Sequence, residues 1–156
     1  MLPGTIQIEV KGLRELTDRL NQLPDKLSAR LFVKGISAGA KVIQQAVAAR
    51  APVRQVPQGR RPGMPIKKGS GTMRYPGTLK THIIRKRYKR PGTQKVTYDI
   101  MPTGLAWYGR LVETGTRHAA AKPFMRPAVD AEGEAAINRV ADVIRQGLDA
   151  AVKAST

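Results

Sequence analysis

Residues 25–52 read DKLSARLFVKGISAGAKVIQQAVAARAP, and this stretch sets the architecture because it predicts a long amphipathic helix. Asp25 is placed to cap the N-terminus of that helix, where a carboxylate accepts from free backbone N–H groups. The helix should end near Ala51-Pro52, since the residue before a proline disfavours the α region. Gly35 and Gly39 lie close to the apolar stripe, where we expect a second backbone to approach. The predicted buried positions are Leu27, Leu31, Ile36, Ala40, Ile43 and Val47.

Two shorter elements are predicted before this helix. Residues 5–10 alternate Ile6, Ile8 and Val10 with polar side chains, which is the period-two pattern of a half-buried strand. A short amphipathic helix follows and ends at Pro24. Its apolar positions are Leu13, Leu16, Leu20 and Leu23.

The segment after the long helix has a different composition. Residues 52–78 contain five proline and five glycine residues and show no hydrophobic period. A loop of this length within a compact domain is either functional or disordered. We therefore predict a basic Pro/Gly-rich insertion loop over residues 52–78. Its candidate subunit-interface or assembly residues are Arg54, Arg60, Arg61, Lys67, Lys68, Arg74 and Tyr75.

Two β-like runs come next. Residues 79–89 combine many charges with Ile83, Ile84 and Tyr88, and residues 96–101 alternate apolar and polar side chains. The intervening Arg90-Pro91-Gly92-Thr93 favours a turn, so the two runs predict an antiparallel hairpin. The hairpin cations that we expect to face a partner or DNA are Arg85, Lys86, Arg87, Lys89 and Arg90.

The remaining residues predict two further helices. Residues 105–114 form the first, capped by Gly115, with Leu105, Tyr108, Leu111 and Val112 facing inward. Pro127 suits the first turn of the second. Its predicted apolar stripe is Val129, Ile137, Val140, Ile144, Leu148 and Val152.

The elements together predict one α+β domain over residues 1–156. Their expected order is β-α-α-β-β-α-α. In this arrangement a small antiparallel sheet, made of the N-terminal strand and the central hairpin, packs against the long helix and the C-terminal helix.

The charge is unevenly distributed along the chain. The net charge is +17, and residues 26–98 contain 18 Lys or Arg and no Asp or Glu, whereas the rest holds 10 basic and 11 acidic residues. Repulsion between like charges costs stability unless an anionic partner relieves it. Nucleic acid, a membrane surface and an acidic flank of another subunit all satisfy this requirement.

Several function classes lack support in the sequence. There is no cysteine, which excludes disulfides and thiolate chemistry. The N-terminus lacks the features of a signal peptide, and no apolar run approaches the roughly 20 residues of a membrane span. His82 and His118 stand on different elements and belong to no cluster with metal-ligand spacing. We therefore expect a protein made in the cytoplasm that is not an enzyme and binds no metal or cofactor.

Four stretches, in order, resemble one protein family. The last is the most specific and runs from Tyr108 to Thr116 (YGRLVETGT) and from Lys122 to Ala128 (KPFMRPA). The three earlier stretches are residues 6–16, residues 49–54 (ARAPVR) and residues 77–83 (GTLKTHI). The chain thereby resembles the tail-component proteins of long-tailed bacteriophages, also called tail-completion or head–tail joining proteins. The basic insertion at residues 55–76 departs from the family pattern, so its role does not follow from the resemblance.

The resemblance implies a non-enzymatic structural protein of the phage neck. Such a protein assembles in the host cytoplasm, resides in the virion, and forms a ring, with six subunits as the expectation, between the tail tube or tail terminator and the head connector or stopper. The channel of that ring admits contact with the DNA backbone. The alternative is a protein that binds nucleic acid without sequence specificity through residues 26–98. The residues that resemble the family motif are Tyr108, Glu113, Gly115, Thr116, Pro123, Phe124, Arg126 and Pro127.

Overall fold

The computed structural model describes residues 18–19, 21, 24–56, 64–65, 73–89 and 96–154. It is an α+β structure in which a two-stranded antiparallel hairpin packs on a long helix, and a C-terminal helix packs on the same long helix. The helices are α1 (Asp25–Arg50), α2 (Thr78–Thr81), α3 (Gly109–Thr114) and α4 (Met125–Ala154), with a 3-10 turn at Gly104–Ala106. The strands are β1 (Met64–Pro65), β2 (Met73–Arg74), β3 (Ile83–Lys89) and β4 (Val96–Pro102).

The predicted N-terminal strand at residues 5–10 lies outside the described residues. Of the short helix predicted before Pro24, only Asp18, Arg19 and Asn21 are described, and all three are helical.

Helix α1 differs from its prediction at one end. It begins at Asp25 itself, and Pro24 occupies the N-cap position without a side-chain hydrogen bond, so the predicted Asp25 cap is wrong by one residue. The Pro24 carbonyl accepts the first helical hydrogen bond, from the Ser28 N–H at 3.1 Å, so the helix begins one residue earlier than predicted. The predicted end is confirmed: Ala51 leaves the helix with ψ of 125°, as the following Pro52 requires.

Helices α1 and α4 pack closely where Gly35 and Gly39 of α1 face α4, and we call this contact the glycine seam. A Cβ atom on Gly39 would lie 2.5 Å from Val140 Cγ2 and 2.8 Å from the carbonyl oxygen of Ala136. One on Gly35 would lie 2.9 Å from Ile144 Cγ1. The close approach predicted at the two glycines is therefore confirmed, and α4 is the element that approaches.

Buried side chains form two hydrophobic clusters. The first joins α1, α2, β3 and the start of α4, and its members are Ala46, Val47, Ala51, Leu79, Ile83, Ala106, Phe124 and Ala128. The second lies along α4, where Leu31 of α1 packs against Ala141, Ile144 and Leu148.

Three apolar positions predicted to face inward are exposed. Leu111, Val129 and Val152 have 43%, 47% and 62% of their surface accessible. On α4 the buried face passes through the alanines Ala128 and Ala136 instead. The small side chains determine which face can approach α1, and this rotates the buried stripe away from the bulkier Val129.

The predicted hairpin is confirmed as β3 paired antiparallel with β4, from Ile83 opposite Pro102 to Lys89 opposite Val96. The extended conformation predicted for residues 79–82 is wrong, because α2 occupies most of that stretch. A Pro76-Gly77 turn causes this. Gly77 adopts φ of 85°, and the Thr78 N–H donates to the Tyr75 carbonyl at 3.1 Å, as in a type II turn. The Thr78 hydroxyl also donates to that carbonyl, at 2.7 Å.

The sequence predicts an irregular insertion loop, but part of the insertion forms a paired sheet. Strands β1 and β2 pair antiparallel, with Met64 opposite Arg74 and Pro65 opposite Met73. Pairing two extended segments satisfies backbone N–H and C=O groups that an irregular loop leaves to solvent. Among the described residues, no helix is both long enough and apolar enough to span a membrane.

Candidate functional site

Glu113, near the end of α3, caps helix α4 from a distance of more than ten residues along the chain. Its Oε2 accepts from the backbone N–H groups of Phe124 at 2.7 Å and Met125 at 2.9 Å, and its Oε1 accepts from that of Arg126 at 3.2 Å. A helix leaves its first four N–H groups without internal acceptors. The fourth position here is Pro127, which has no N–H. One carboxylate therefore satisfies every free donor at this helix end.

The same contacts determine the protonation of Glu113. Burial by itself would raise the pKa of this carboxyl, but the N–H donors of Met125, Phe124 and Arg126 and the charge of Arg126 lower it. The net pKa lies below the usual value of 4.5. Glu113 is thus ionised at neutral pH, and both of its oxygens are engaged by the backbone.

The loop that Glu113 closes is built from tight turns. Gly115 ends α3 with φ of 76°, and its N–H donates to the Leu111 carbonyl at 2.9 Å, which confirms the predicted C-cap. A Cβ atom at this position would also lie 2.8 Å from the Ala121 nitrogen. Thr116 pairs with Ala119, and its hydroxyl accepts from the Ala119 N–H at 3.1 Å. The chain thereby returns within hydrogen-bonding distance of α3.

The other residues of the family-like motif divide between the core and the surface. Phe124 is only 2% exposed, and Tyr108 packs against the same cluster. Pro123, Arg126 and Pro127 are exposed. Together with Glu113, Thr114 and Ala121, these three line one surface pocket. The motif is therefore a structural joint between α3 and α4. The sequence did not reveal the capping role of Glu113, because the backbone N–H groups that donate to it are 11 to 13 residues away.

Arg85 of β3 contacts helix α1. Its guanidinium donates to the carbonyl oxygen of Ser37 in α1 and lies 5.8 Å from the centre of the Tyr98 ring. The Gln44 side chain of α1 donates in turn to the Ile83 carbonyl at 2.8 Å. Two polar contacts thus fix the hairpin on α1, and Arg85 is half-buried between them.

The other candidate residues of the hairpin and the insertion are partly described by the structure. Lys86 and Arg87 are exposed on β3, and Lys89 lies at its end. In the insertion, Arg54 and Tyr75 are exposed and Arg74 belongs to β2. Outside the described residues are Arg60, Arg61, Lys67, Lys68 and Arg90.

The two histidines contact neighbouring groups of their own segments. His82 Nδ1 lies 2.9 Å from the Thr78 carbonyl, and His118 accepts from the Arg117 Nε at 2.6 Å. Among the described residues, no three His, Cys, Asp or Glu side chains come together in a way that could hold a metal ion.

No protein-family model, curated protein or solved structure matches this chain. The resemblance to phage tail-completion proteins therefore depends on the four ordered sequence stretches. Its functional implications are proposals.

Proposed function

We propose that this chain is a structural subunit of a bacteriophage neck, where it forms a ring that joins the tail tube to the head connector. One observation carries the proposal. The stretch that most specifically resembles the family, residues 108–128, is a continuous structural joint closed by Glu113. A joint of this kind fixes the angle between two helices, which is the property that a subunit of a regular ring requires.

The chemistry of the joint supports a structural role. Glu113 is the carboxylate of this stretch that a catalytic hypothesis would choose as a base. Both of its oxygens accept backbone N–H groups, and its pKa is lowered. A general base works best with a pKa near the working pH. The backbone hydrogen bonds move the pKa of Glu113 away from that range, which favours a capping role over a catalytic one.

A ring needs two different surfaces on each subunit, because its contacts are head-to-tail. The ends of the insertion offer one of them: Val53 and Tyr75 are 52% and 57% exposed. We assign the insertion, which includes the β1–β2 pair, to contact with the neighbouring subunit. Six subunits remain the expectation, and the tail terminator or tail tube protein and the head connector or stopper are the expected partners.

Deleting the gene from the phage that encodes it tests the proposal. We expect DNA-filled heads and complete tails to accumulate separately, as seen by electron microscopy, and a plasmid copy to restore joining. Mass spectrometry of purified particles should detect the chain in several copies. Particles that join normally without it, or that never contain it, would overturn the proposal.

The insertion has its own test. Limited proteolysis of the free protein and of assembled particles compares the same bonds in residues 55–76. We expect cleavage in the free protein and protection in the particle. Equal resistance in both would show that the insertion does not depend on a neighbour.

A free nucleic-acid-binding protein is the second candidate, favoured by the exposed cations of residues 26–98 on α1 and β3. It predicts duplex binding without incorporation into particles. The chain's presence in purified virions would exclude this alternative as its sole role.

A further inference from the structure

The outer face of α1 carries a line of cations. Lys26, Arg30, Lys34 and Lys41 are all exposed. At 3.6 residues per turn these four positions fall within about 80° of arc, and at 1.5 Å per residue they extend over about 22 Å. None has an ion-pair partner among the described residues. We call these four residues the α1 stripe.

Arg85 of β3 lies beside α1 between Lys34 and Lys41, the two neighbouring stripe residues that are furthest apart in sequence. Seven residues separate Lys34 from Lys41, and Ser37, whose carbonyl accepts from Arg85, lies between them. The hairpin therefore adds a fifth cation beside the helix. Two segments that the sequence separates by about 50 residues combine into one basic surface.

The partner of this surface must be strongly anionic. Helix α4 contains five acidic and four basic residues, so its charge is −1, whereas α1 contains five basic residues and one acidic, giving +4. Asp142 of α4 is already paired with Arg145 at 3.5 Å. A second copy of this chain carries +17 in total and its helix α4 carries only −1, so it neutralises the stripe less well than a polyanion does.

A duplex backbone supplies anionic charge at high density. Its two strands together carry one negative charge per about 1.7 Å of helix axis, so about 22 Å of duplex holds about 13 phosphates, of which the stripe meets those on its own side. No base-reading element is needed for such contacts. We propose that the α1 stripe, with Arg85, binds the phosphate backbone of duplex DNA without sequence specificity. This inference depends on the neck proposal only for its biological setting, the DNA that passes through the ring.

The test uses the full-length protein and a fluorescent DNA duplex, with affinity measured over a series of NaCl concentrations. The variant Arg30→Gln/Lys34→Gln/Lys41→Gln removes three exposed charges from the stripe. The control Lys122→Gln/Arg139→Gln/Lys153→Gln removes the same three charges from exposed positions around α4. Circular dichroism and urea unfolding show that all three proteins are folded.

We expect the control to keep the wild-type slope of log affinity against log salt. The stripe variant should lose about 2.7 units of slope, which is about 0.9 for each phosphate contact. Equal losses in the two variants would show that binding follows net charge alone and would overturn the assignment. So would the absence of wild-type binding at low salt.

A vesicle assay separates DNA from a membrane surface. Vesicles of phosphatidylcholine with and without phosphatidylglycerol are compared with the duplex at equal salt. Wild-type binding to the anionic vesicles where duplex binding is undetectable would overturn the proposal. Particle joining is measured separately, so loss of the neck function and loss of DNA binding give different results.

Discussion

Helices α1 and α4 are similar in length, 26 and 30 residues, and share the glycine seam, but they differ at their N-termini and outer faces. Helix α4 starts with three N–H groups held by Glu113, and its charges nearly cancel. Helix α1 starts after Pro24 with no side-chain cap and carries the α1 stripe. The two helices therefore differ in role: the N-terminus of α4 is fixed by a side-chain cap, and α1 exposes positive charge to solvent.

The shared seam gives the largest expected effect. Gly39→Ala places a Cβ 2.8 Å from a backbone oxygen of α4, which cannot move without shifting the helix. We expect a loss of about 2–3 kcal/mol in the free energy of unfolding, measured in urea. Gly147→Ala is the control. The three atoms nearest to its Cβ all belong to the flexible Leu31 side chain, so the change should be much smaller. Equal losses would mean that the seam does not depend on backbone contact.

Removing the cap tests what distinguishes α4 from α1. Glu113→Ala leaves three N–H groups without their acceptor, and we expect a loss of about 1–2 kcal/mol. Hydrogen exchange should increase in the first turns of α4 and remain unchanged in α1. Glu134→Ala, an exposed acidic residue of the same helix, is the control and should have little effect. A similar loss in both variants would contradict the capping role.

Lowering the pH should weaken the stabilisation that the Glu113 cap gives to α4. The pKa of Glu113 is lower in the folded protein than in the unfolded chain. Its contribution is therefore complete above about pH 4.5 and is lost as the pH falls through the lower folded value. The stability difference between wild type and Glu113→Gln should be largest near neutral pH and shrink toward pH 3, as measured by urea unfolding. A difference that stays constant with pH would show that the charge of Glu113 contributes nothing.

The smallest effect concerns the attachment of the hairpin to α1. Arg85→Met removes the donor to the Ser37 carbonyl and the contact with Tyr98. We expect a loss of about 1 kcal/mol in unfolding free energy. Arg87→Met changes an exposed neighbour on the same strand and should be nearly neutral. If the two variants behave alike, Arg85 is a surface cation, as its sequence position suggested.

Periodicity predicted the elements that depend on local pattern. The C-terminal end of α1, the hairpin and the Gly115 cap are confirmed, because each depends on residues near one another in sequence. The close approach at Gly35 and Gly39 is also confirmed, although the helix that approaches them lies about 100 residues further along the chain. Residues 79–82 misled the prediction since their apolar pattern fits a strand. The Pro76-Gly77 turn and the buried Thr78 impose a helical turn there.

The contacts of the candidate site were harder to predict. Glu113 and Arg85 look like ordinary charged residues in the sequence. The nearest donor to Glu113 is 11 residues away, and the acceptor of Arg85 is 48 residues away. Tertiary packing alone brings these groups together. The excess of basic residues is evident from the sequence. Which of these residues are exposed on α1, and that Arg85 is half-buried against it, follows only from the position of the hairpin relative to α1.

The glycine seam also has a consequence for the order of events during synthesis. Gly39 and Val140, which meet in it, are separated by about 100 residues of chain, so this contact has a high sequence separation. Helix α1 leaves the ribosome long before α4 exists, and its glycine-lined face is uncovered for that interval. Folding of the helical pair must therefore wait for the last helix to emerge. A chain truncated before α4 would present that face to any other helix it encounters.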